Sequence, residues 1–448
     1  MNRTWLRLRQ ITQEFWFIPA VMTVLALLLA EAGISAEESY GVPEGLRFVY
    51  GGGETGSRSL LSAIAGSSIG VAGTVFSITI AALSYAAGSM GPRLLDNFTR
   101  DRGNQFTLGT FISTFAFSLY TLRAVTGSQD QPFVPHYNVT FALVLAIFSV
   151  AMLVYYLAHI TGSINMTHVA NLLRDDMRDS LMRATLKEDP DRDLAVAPPP
   201  EFWAGGEVLH APSGGYLQLT DNDLLLKKAR EADVALLLHV RPGDYVFPNS
   251  VIAVGVPRLP QGVMDALSLG DRRTVGQDLE YSVRQLSEVA ARALSPGVND
   301  PVTAIDVVDR FGDALCSLQD RRWPDGVYHH GQVLRLVVPV TDFVGLTHSM
   351  FSMIRQYGKG SPSVMVRMLE VFGTAASCLR DAERRAVIRH HAELVREDAL
   401  ANIENSADRA DIEDRYRKVL DTLAGGGAAE VRRAAQHAVR QAQGEQVN

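Results

Sequence analysis

Hydrophobic residues are concentrated in the first 160 positions of the chain, in four long runs separated by short polar segments. A helix needs roughly 20 mainly apolar residues to cross the hydrocarbon core of a membrane. The runs therefore predict four membrane-spanning helices, at about residues 15–33, 60–87, 106–125 and 139–160. No comparable run follows. We predict an α-helical membrane domain over residues 1–168 and a soluble α+β domain after it.

The first run has a second interpretation. Three arginines in the first nine residues precede it, and small residues follow as far as Ala36, which is also the layout of a cleavable signal peptide. Trp5 and Trp16 favour a retained helix, because tryptophan anchors a lasting span at the membrane interface. We expect span one to be retained, and cleavage stays the alternative.

Arginines in the short loops predict the orientation, because loops rich in Lys and Arg stay on the cytoplasmic side. Arg3, Arg7, Arg9, Arg93, Arg100 and Arg102 lie on one side of the four spans, and Arg47, Arg58 and Arg123 lie on the other. Both termini are therefore predicted to be cytoplasmic. The two cysteines of the chain both fall in the C-terminal half, which agrees with a reducing compartment.

Span two carries small residues at three- and four-residue spacing, so that they share one helical face. We name this the small-residue face, and its members are Gly66, Gly70, Thr74, Ser77, Ala81 and Ser84, extended by Gly73 and Gly88. Ile69, Phe76, Ile80 and Leu83 are expected on the opposite face. Small residues allow close packing between membrane helices, whereas hydroxyls can also line a water-filled path. Both interpretations of this face stay open.

The segment GGGETGSRS, residues 51–59, resembles a phosphate-binding loop in its glycine spacing. Such loops work only between a strand and a soluble helix, and a P-loop needs Lys followed by Ser or Thr after its last glycine. Ser57 and Arg58 stand there instead, followed by a membrane span. We expect no nucleotide site and no cofactor.

The polar half divides into three predicted parts: a charged helix and Pro-rich linker at 169–200, a small β-rich subdomain at 201–260, and a mainly helical remainder at 261–448. Short apolar runs predict strands at 207–211, 215–219, 234–240, 250–256 and 332–340. Asp221 is expected to cap the helix that follows the second of these strands. A polar helix is predicted from Gly425 onwards.

A loop between two predicted helices, residues 295–301, holds the second candidate site. Pro296 and Gly297 end one helix, and Asn299 or Asp300 is expected to cap the next, with Pro301 at its first position. The cap explains these residues by itself; a ligand or ion site at the helix N-terminus is the alternative. The candidate residues are Ser295, Gly297, Asn299, Asp300 and Thr303.

Three segments resemble a known family: AGTVFSITIAAL in span two, GPRLLDNFTRDRGNQFTLGTFISTFAFSLYTLR, and DLEYSVRQLSEVAARALSPGVNDPVTAID. The chain resembles, over nearly its whole length, the bacterial predicted membrane proteins called domain of unknown function twenty-two fifty-four. The resemblance implies four N-terminal spans and a soluble C-terminal region, and it assigns no activity. Many members have Gln before the Ser-Pro-Arg that ends span two. This chain reads GSMGPR, so no role of that Gln is carried over.

The residues predict no catalytic constellation and no metal site. His329 and His330, like His390 and His391, are neighbours in sequence, and adjacent side chains point apart. We expect a homo-oligomeric channel or transport component with a cytoplasmic regulatory domain. The alternative is a membrane-tethered sensor or scaffold without transport or catalysis. The expected partners are the lipid bilayer and further copies of the chain; a cytoplasmic ligand or protein partner is left open, and no nucleic acid is expected.

Overall fold

The computed structural model describes residues 14–40, 49–89, 101–128, 131–163, 166–187, 195–274 and 276–425 of the 448 residues. The chain divides into two compact units, residues 1–169 and residues 170–448. The first unit contains the apolar runs, and the second contains the polar half of the sequence. The helix predicted beyond Gly425 lies outside the described residues.

Four helices form the described part of the first unit. They are α1 at Phe17–Tyr40, α2 at Glu54–Ser89, α3 at Arg102–Ala124 and α4 at His136–Ser163. A short antiparallel hairpin, β1 at Thr126–Ser128 and β2 at Gln131–Phe133, lies between α3 and α4. Among the described residues, three helices are long and apolar enough to cross a membrane, within Phe17–Ser39, Glu54–Tyr85 and His136–Gly162.

Helix α3 is the least apolar of the four, and it packs against each of the other three. Its buried polar residues are Asn104, Gln105, Thr107, Thr110, Ser113, Thr114, Ser118 and Thr121. Several of these hydroxyls donate to the carbonyl four residues earlier, as Thr114 does to Thr110 at 2.7 Å. Thr114 also shares a hydrogen bond of 3.2 Å with Ser149 on α4. The polar residues that lower the hydropathy of α3 are therefore inside the unit, among the other helices.

The second unit begins within α5, Met166–Ala184, and contains two main sheets. Their strands are β4 at Glu207–His210, β5 at Gly215–Thr220, β6 at Ala235–Leu238, β7 at Tyr245–Val246, β8 at Val251–Val256, β9 at Leu267–Gly270, β11 at Val327–His330 and β12 at Val333–Val337. The larger sheet has the strand order β11-β12-β6-β8-β4, and the smaller sheet has the order β7-β5-β9. A further small pair joins β3 at Leu186–Lys187 to β10 at Arg321–Arg322.

The larger sheet combines distant parts of the chain. Strand β12 pairs in parallel with β6, through Leu336 opposite Leu236 and Val337 opposite Leu237. The sheet therefore takes strands from both sides of residue 260, the predicted limit of the β-rich subdomain. Helix α6, Asn222–Glu231, is capped by Asp221, whose side chain accepts from the Leu224 N–H at 3.0 Å.

Six helices complete the second unit. They are α7 at Leu279–Ala293, α8 at Pro301–Ser317, α9 at Phe343–Gly358, α10 at Pro362–Cys378, α11 at Ala382–Asn402 and α12 at Ser406–Leu423. Aromatic side chains fill the space between them: Phe351 of α9 lies edge-on to Phe311 of α8 and to Phe372 of α10, with ring centroids 5.6 and 4.8 Å apart. All three rings are completely buried.

Candidate functional site

The small-residue face of α2 is exposed on the first unit. Gly66, Gly70, Thr74, Ser77, Ala81 and Ser84 are all exposed, as are Gly73 and Gly88. A Cβ atom added at Gly66, Gly70, Gly73 or Gly88 would meet nothing within 4 Å, apart from the helix's own nearby backbone. The structure therefore brings the predicted residues together along one side of α2 and places no other part of the described chain against the glycines.

Helix α2 packs within its own unit through a different face. Leu61, Ile64, Ser68, Ala72 and Val75 are buried and follow helical spacing. This buried face is opposite the small-residue face. The expectation that Ile69, Phe76, Ile80 and Leu83 form the opposite face was therefore wrong, because at 100° per residue their row lies between the two. Ile69, Phe76 and Ile80 are 45%, 47% and 43% exposed, as is typical of side chains that contact lipid.

The hydroxyls of the small-residue face bond to the helix that carries them. Thr74 donates to the carbonyl of Gly70 at 3.2 Å, and Ser77 donates to that of Gly73 at 2.9 Å. A hydroxyl oxygen bonded in this way keeps its acceptor lone pairs. The face is therefore satisfied in lipid or against another helix, and it can still accept hydrogen bonds from water.

The segment at residues 51–59 leads directly into α2. Arg58 donates to Glu54 at 3.0 Å and to the carbonyl of Val125 at 2.5 Å. Glu54 stands in the first turn of α2, where a bound phosphate would need positive charge and free N–H groups. The geometry thus agrees with a loop that enters a membrane helix.

The second predicted site, around residues 295–303, is a turn between α7 and α8. Asp300 is the cap: its carboxylate accepts from the N–H groups of Val302 and Thr303 at 3.1 Å each. Asn299 precedes it in the left-handed region, with φ of 49°. Ser295 donates its hydroxyl to the carbonyl of Arg292 at 2.6 Å. Of the two capping candidates, Asp300 is therefore the one used.

The polar groups of this turn are directed to one another. The hydroxyl of Thr303 donates to Asp300 at 2.5 Å, and this bond, with the two backbone N–H donors, lowers the pKa of the Asp300 carboxyl. Gly297 is exposed and has open space around it. The arrangement is a capped helix start, in which Ser295, Asp300 and Thr303 have hydrogen-bond partners nearby in sequence.

A cavity in the second unit was not predicted from the sequence. Its volume is about 240 Å³. It lies between the end of α5, the end of β5, the start of α6, the loop that precedes β7 and the start of α7. The lining includes Arg183, Thr220, Asn222, Arg241, Gln277, Trp323, Tyr328 and Thr341, over apolar residues such as Leu238 and Val338. A neighbouring cavity of about 210 Å³ shares Arg183, Ala184, Gln277 and Leu279 with it.

Gln277 fixes one wall of this cavity. Its side-chain oxygen accepts from the N–H of Thr220 at 2.9 Å, and its amide donates to the Thr220 carbonyl at 3.1 Å. The side chain of Thr220 is different: the residue is 6% exposed, and its Oγ1 has no hydrogen-bond partner in the described structure. The Oδ1 of Asn222 is also buried without a partner, while its amide lies 3.5 Å from the Tyr328 hydroxyl.

Two arginines contribute charge to the cavity lining. Arg241 is held by Glu280 at 2.5 Å and by the Thr341 hydroxyl at 3.0 Å. Arg183, at the end of α5, is exposed and donates to the Ser180 hydroxyl at 3.0 Å. The end of α5 is itself anchored, because Arg321 donates to the carbonyl of Met182 at 2.8 Å. The cavity lining thus combines a cation that is paired, Arg241, with a cation that is exposed, Arg183.

Among the described residues, three apolar helices of spanning length in the first unit are followed by an α+β second unit, and these helices define the class as a membrane protein. The chain belongs to the family described as "Predicted membrane protein (DUF2254)", which matches residues 12–374. An "Uncharacterized protein" of Mycobacterium bovis and one of Mycobacterium tuberculosis are each 32% identical to it over 378 residues. These alignments cover 81% of this chain and 72% of each relative. No solved structure matches the chain.

Proposed function

We propose that the protein is a homo-oligomeric channel or transport component of the bacterial inner membrane, with a cytoplasmic regulatory domain. One observation carries this proposal: the small-residue face of α2 is left uncovered by the packing of its own unit. From Gly66 to Gly88 the face is about 33 Å long at 1.5 Å per residue, which is about the thickness of the hydrocarbon core.

Contact with lipid alone does not explain this face. Glycine lowers helix stability by about 1 kcal/mol relative to alanine in water, and it offers lipid chains little surface. In membranes, glycines at this spacing are typical of helices whose backbones approach closely. Gly66, Gly70 and Gly73 have no such neighbour within the described chain. A second copy of α2, brought by another subunit, would supply one.

The hydroxyls give the face its proposed role in transport. Thr74 and Ser77 are exposed beside the glycines, and their oxygens can accept from water or approach a cation. In an oligomer with α2 around its axis, these oxygens would line a path of uncharged polar groups. A dry interface between copies would use the glycines and leave the hydroxyls bonded to their own carbonyls.

We further propose four membrane spans with α3 as the third in sequence, although α3 is rich in polar residues. The support is its position: α3 contacts α1, α2 and α4, and its polar residues are buried among them. Membrane helices tolerate such residues where other helices shield them from lipid. With arginines concentrated on one side, four spans place both termini in the cytoplasm.

A cysteine scan of α2 tests the channel. In a background with Cys316 and Cys378 replaced by serine, Ser77→Cys is compared with Phe76→Cys, its neighbour on the row between the two faces. We expect Ser77→Cys to form disulfide-linked dimers on oxidation, to react with a small hydrophilic thiol reagent, and to change ion flux in proteoliposomes when labelled. Phe76→Cys should do none of these.

The possible outcomes separate the hypotheses. Cross-linking at position 77 without labelling or flux would support an oligomer with a dry interface, and would contradict the channel. Equal behaviour of the two cysteine variants would contradict any special role of the face. Reporter fusions test the topology: fusions near residues 52 and 129 should read periplasmic, and fusions after residue 196 and at the C-terminus should read cytoplasmic.

A membrane-tethered sensor or scaffold is the second candidate function. The cavity of the second unit favours it, because a pocket lined by polar side chains suits a small ligand. Under this hypothesis the protein would bind a ligand and produce no flux under any tested ion gradient. The same proteoliposomes therefore distinguish the two functions.

A further inference from the structure

We propose that the cavity between the end of α5, the end of β5 and the starts of α6 and α7 binds a small organic anion, with a carboxylate or a phosphate ester between Arg183 and Arg241. The observations that point to it are the cavity itself and the two arginines, which are the charged members of its lining among the described residues. This site deepens the regulatory role proposed for the second unit, and it rests on that proposal only for its consequence in the cell.

The charge of the lining defines the class of ligand. Among the described residues that line the cavity, the charged ones are Arg183 and Arg241. Glu280 and Asp244 already pair with Arg241, whereas Arg183 has the Ser180 hydroxyl as a hydrogen-bond partner and lies within electrostatic reach of Asp176. A guanidinium presents five donors, and a carboxylate or phosphate matches them best. An anion would therefore bind mainly to the donors of Arg183, with Arg241 on the other side.

Neutral polar side chains add hydrogen-bonding groups to the lining. Gln277, Tyr328 and Thr341 line the cavity beside the two arginines. An amide or hydroxyl can donate and accept, so these side chains suit the neutral polar part of a ligand. The Oγ1 of Thr220 and the Oδ1 of Asn222 are buried beneath this lining, so a ligand would not contact them.

Size restricts the ligand further. A volume of 240 Å³ equals the share of about eight water molecules and lies below the range of pockets for drug-sized compounds. Leu238 and Val338 supply an apolar floor, and Trp323 adds an aromatic wall. The shape suits a single small metabolite. Ordered water could also occupy this space, and the experiment must separate water from a ligand.

Binding is measured on the purified full-length chain in nanodiscs by isothermal titration with three anions: inorganic phosphate, ribose 5-phosphate and succinate. Ribose serves as the neutral control, and potassium chloride controls for ionic strength. We expect saturable binding of at least one anion and no binding of ribose. Succinate against ribose 5-phosphate distinguishes a carboxylate ligand from a phosphate ester.

Two variants locate the site. Arg183→Ala should weaken binding at least tenfold, and Arg178→Ala, an exposed arginine on the same helix that does not line the cavity, should leave the affinity unchanged. Both arginines are exposed, so the melting temperature of each variant without ligand should stay at the wild-type value. That result excludes misfolding as the cause of weaker binding.

Two results would overturn the proposal. One is the absence of saturable binding by all three anions, which would indicate that only water fills the cavity. The other is equal affinity of Arg183→Ala and Arg178→Ala, which would make the binding nonspecific. Neither result concerns ion flux, so failure of this site and failure of the proposed channel are distinguishable.

Discussion

The hydroxyl of Thr303 donates to the carboxylate of Asp300 at 2.5 Å, in the first turn of the helix that Asp300 caps. Two backbone N–H groups of the same turn donate to this carboxylate as well. The Asp300 carboxylate is therefore bonded to groups that lie within three residues of it in sequence. These local hydrogen bonds determine what substitutions in the loop should do.

Replacing Asp300 by alanine should lower the free energy of unfolding by about 0.5–2 kcal/mol, the usual range for loss of a helix cap. Because the pKa of Asp300 is lowered in the fold, its contribution is present above the unfolded pKa and is lost as pH falls through the folded pKa. Denaturant unfolding of the full chain in detergent, at neutral and acidic pH, measures both effects. Asn299→Gly is the control and should be nearly neutral, since glycine accepts the positive φ there.

Function should survive both substitutions if the loop is only a cap. A variant of Asp300 or Asn299 with an unchanged melting temperature and lost flux or ligand binding would contradict this, and would indicate a site at the helix start.

His391 should make the stability of the second unit depend on pH. It is 2% exposed, and burial lowers its pKa to about 4, with further lowering by His390, His348 and Arg355. A depressed folded pKa means that only the unfolded state takes up a proton between pH 6.5 and 4, so stability falls as the pH falls. We expect a loss of about 2 kcal/mol between pH 7 and pH 5.

The matched variants are His391→Gln and His390→Gln. The first should remove most of this pH dependence whatever it does to stability at neutral pH, and the second, at an exposed neighbouring position, should keep it. An unchanged slope in His391→Gln would assign the pH dependence to other groups.

Cys316 should resist alkylation in the folded protein. Burial and a hydrogen bond with the Cys378 thiol raise the pKa of Cys316 to about 12. The thiolate is the reactive form, so at pH 7.5 Cys316 should react with iodoacetamide roughly a thousandfold more slowly than a free cysteine. Peptide mass spectrometry after timed labelling measures the rate, with urea-unfolded protein as the control. Labelling at the rate of a free thiol would show that the fold does not raise the pKa of Cys316.

Local patterns predicted much of the fold. Short apolar runs gave strands β4, β5, β6, β8 and β12, and Asp221 caps its helix as expected. Strands β9 and β11 were among those missed, because LSLG and VYHH contain no apolar run longer than two residues. The parallel pairing of Leu336 with Leu236 has no local signal, since it depends on the folding of the 99 residues between them.

The candidate sites show the same division. The cap at Asp300 is a short-range arrangement, and the sequence limited the choice of capping residue to Asn299 or Asp300. The small-residue face follows from helical spacing alone, but its surroundings could not be predicted, because which face of α2 packs inside depends on α3 and α4. The cavity could not be predicted from the sequence, because its lining residues range from Arg183 to Thr341 and no short motif connects these residues.

Two glycines on neighbouring helices should respond to leucine in opposite ways. A Cβ at Gly109 of α3 would meet the Sδ of Met22 at 2.6 Å and the Cα of Pro19 at 3.2 Å, so Gly109→Leu should force α1 and α3 apart and destabilise the unit itself. A Cβ at Gly70 of α2 would meet nothing within 4 Å. Gly70→Leu should therefore leave the fold of one chain intact.

The assembly is where Gly70→Leu should act. If copies of α2 meet through the small-residue face, added bulk separates their backbones, and the mass of the protein in detergent should fall toward that of a monomer while its helical circular dichroism is retained. Light scattering coupled to size-exclusion chromatography measures the mass. Ile69→Leu, an exchange of similar volume on the adjacent row, should leave the mass at the wild-type value. An oligomer of wild-type mass in Gly70→Leu would remove this face from the contact between subunits, and with it the pore that the contact is proposed to surround.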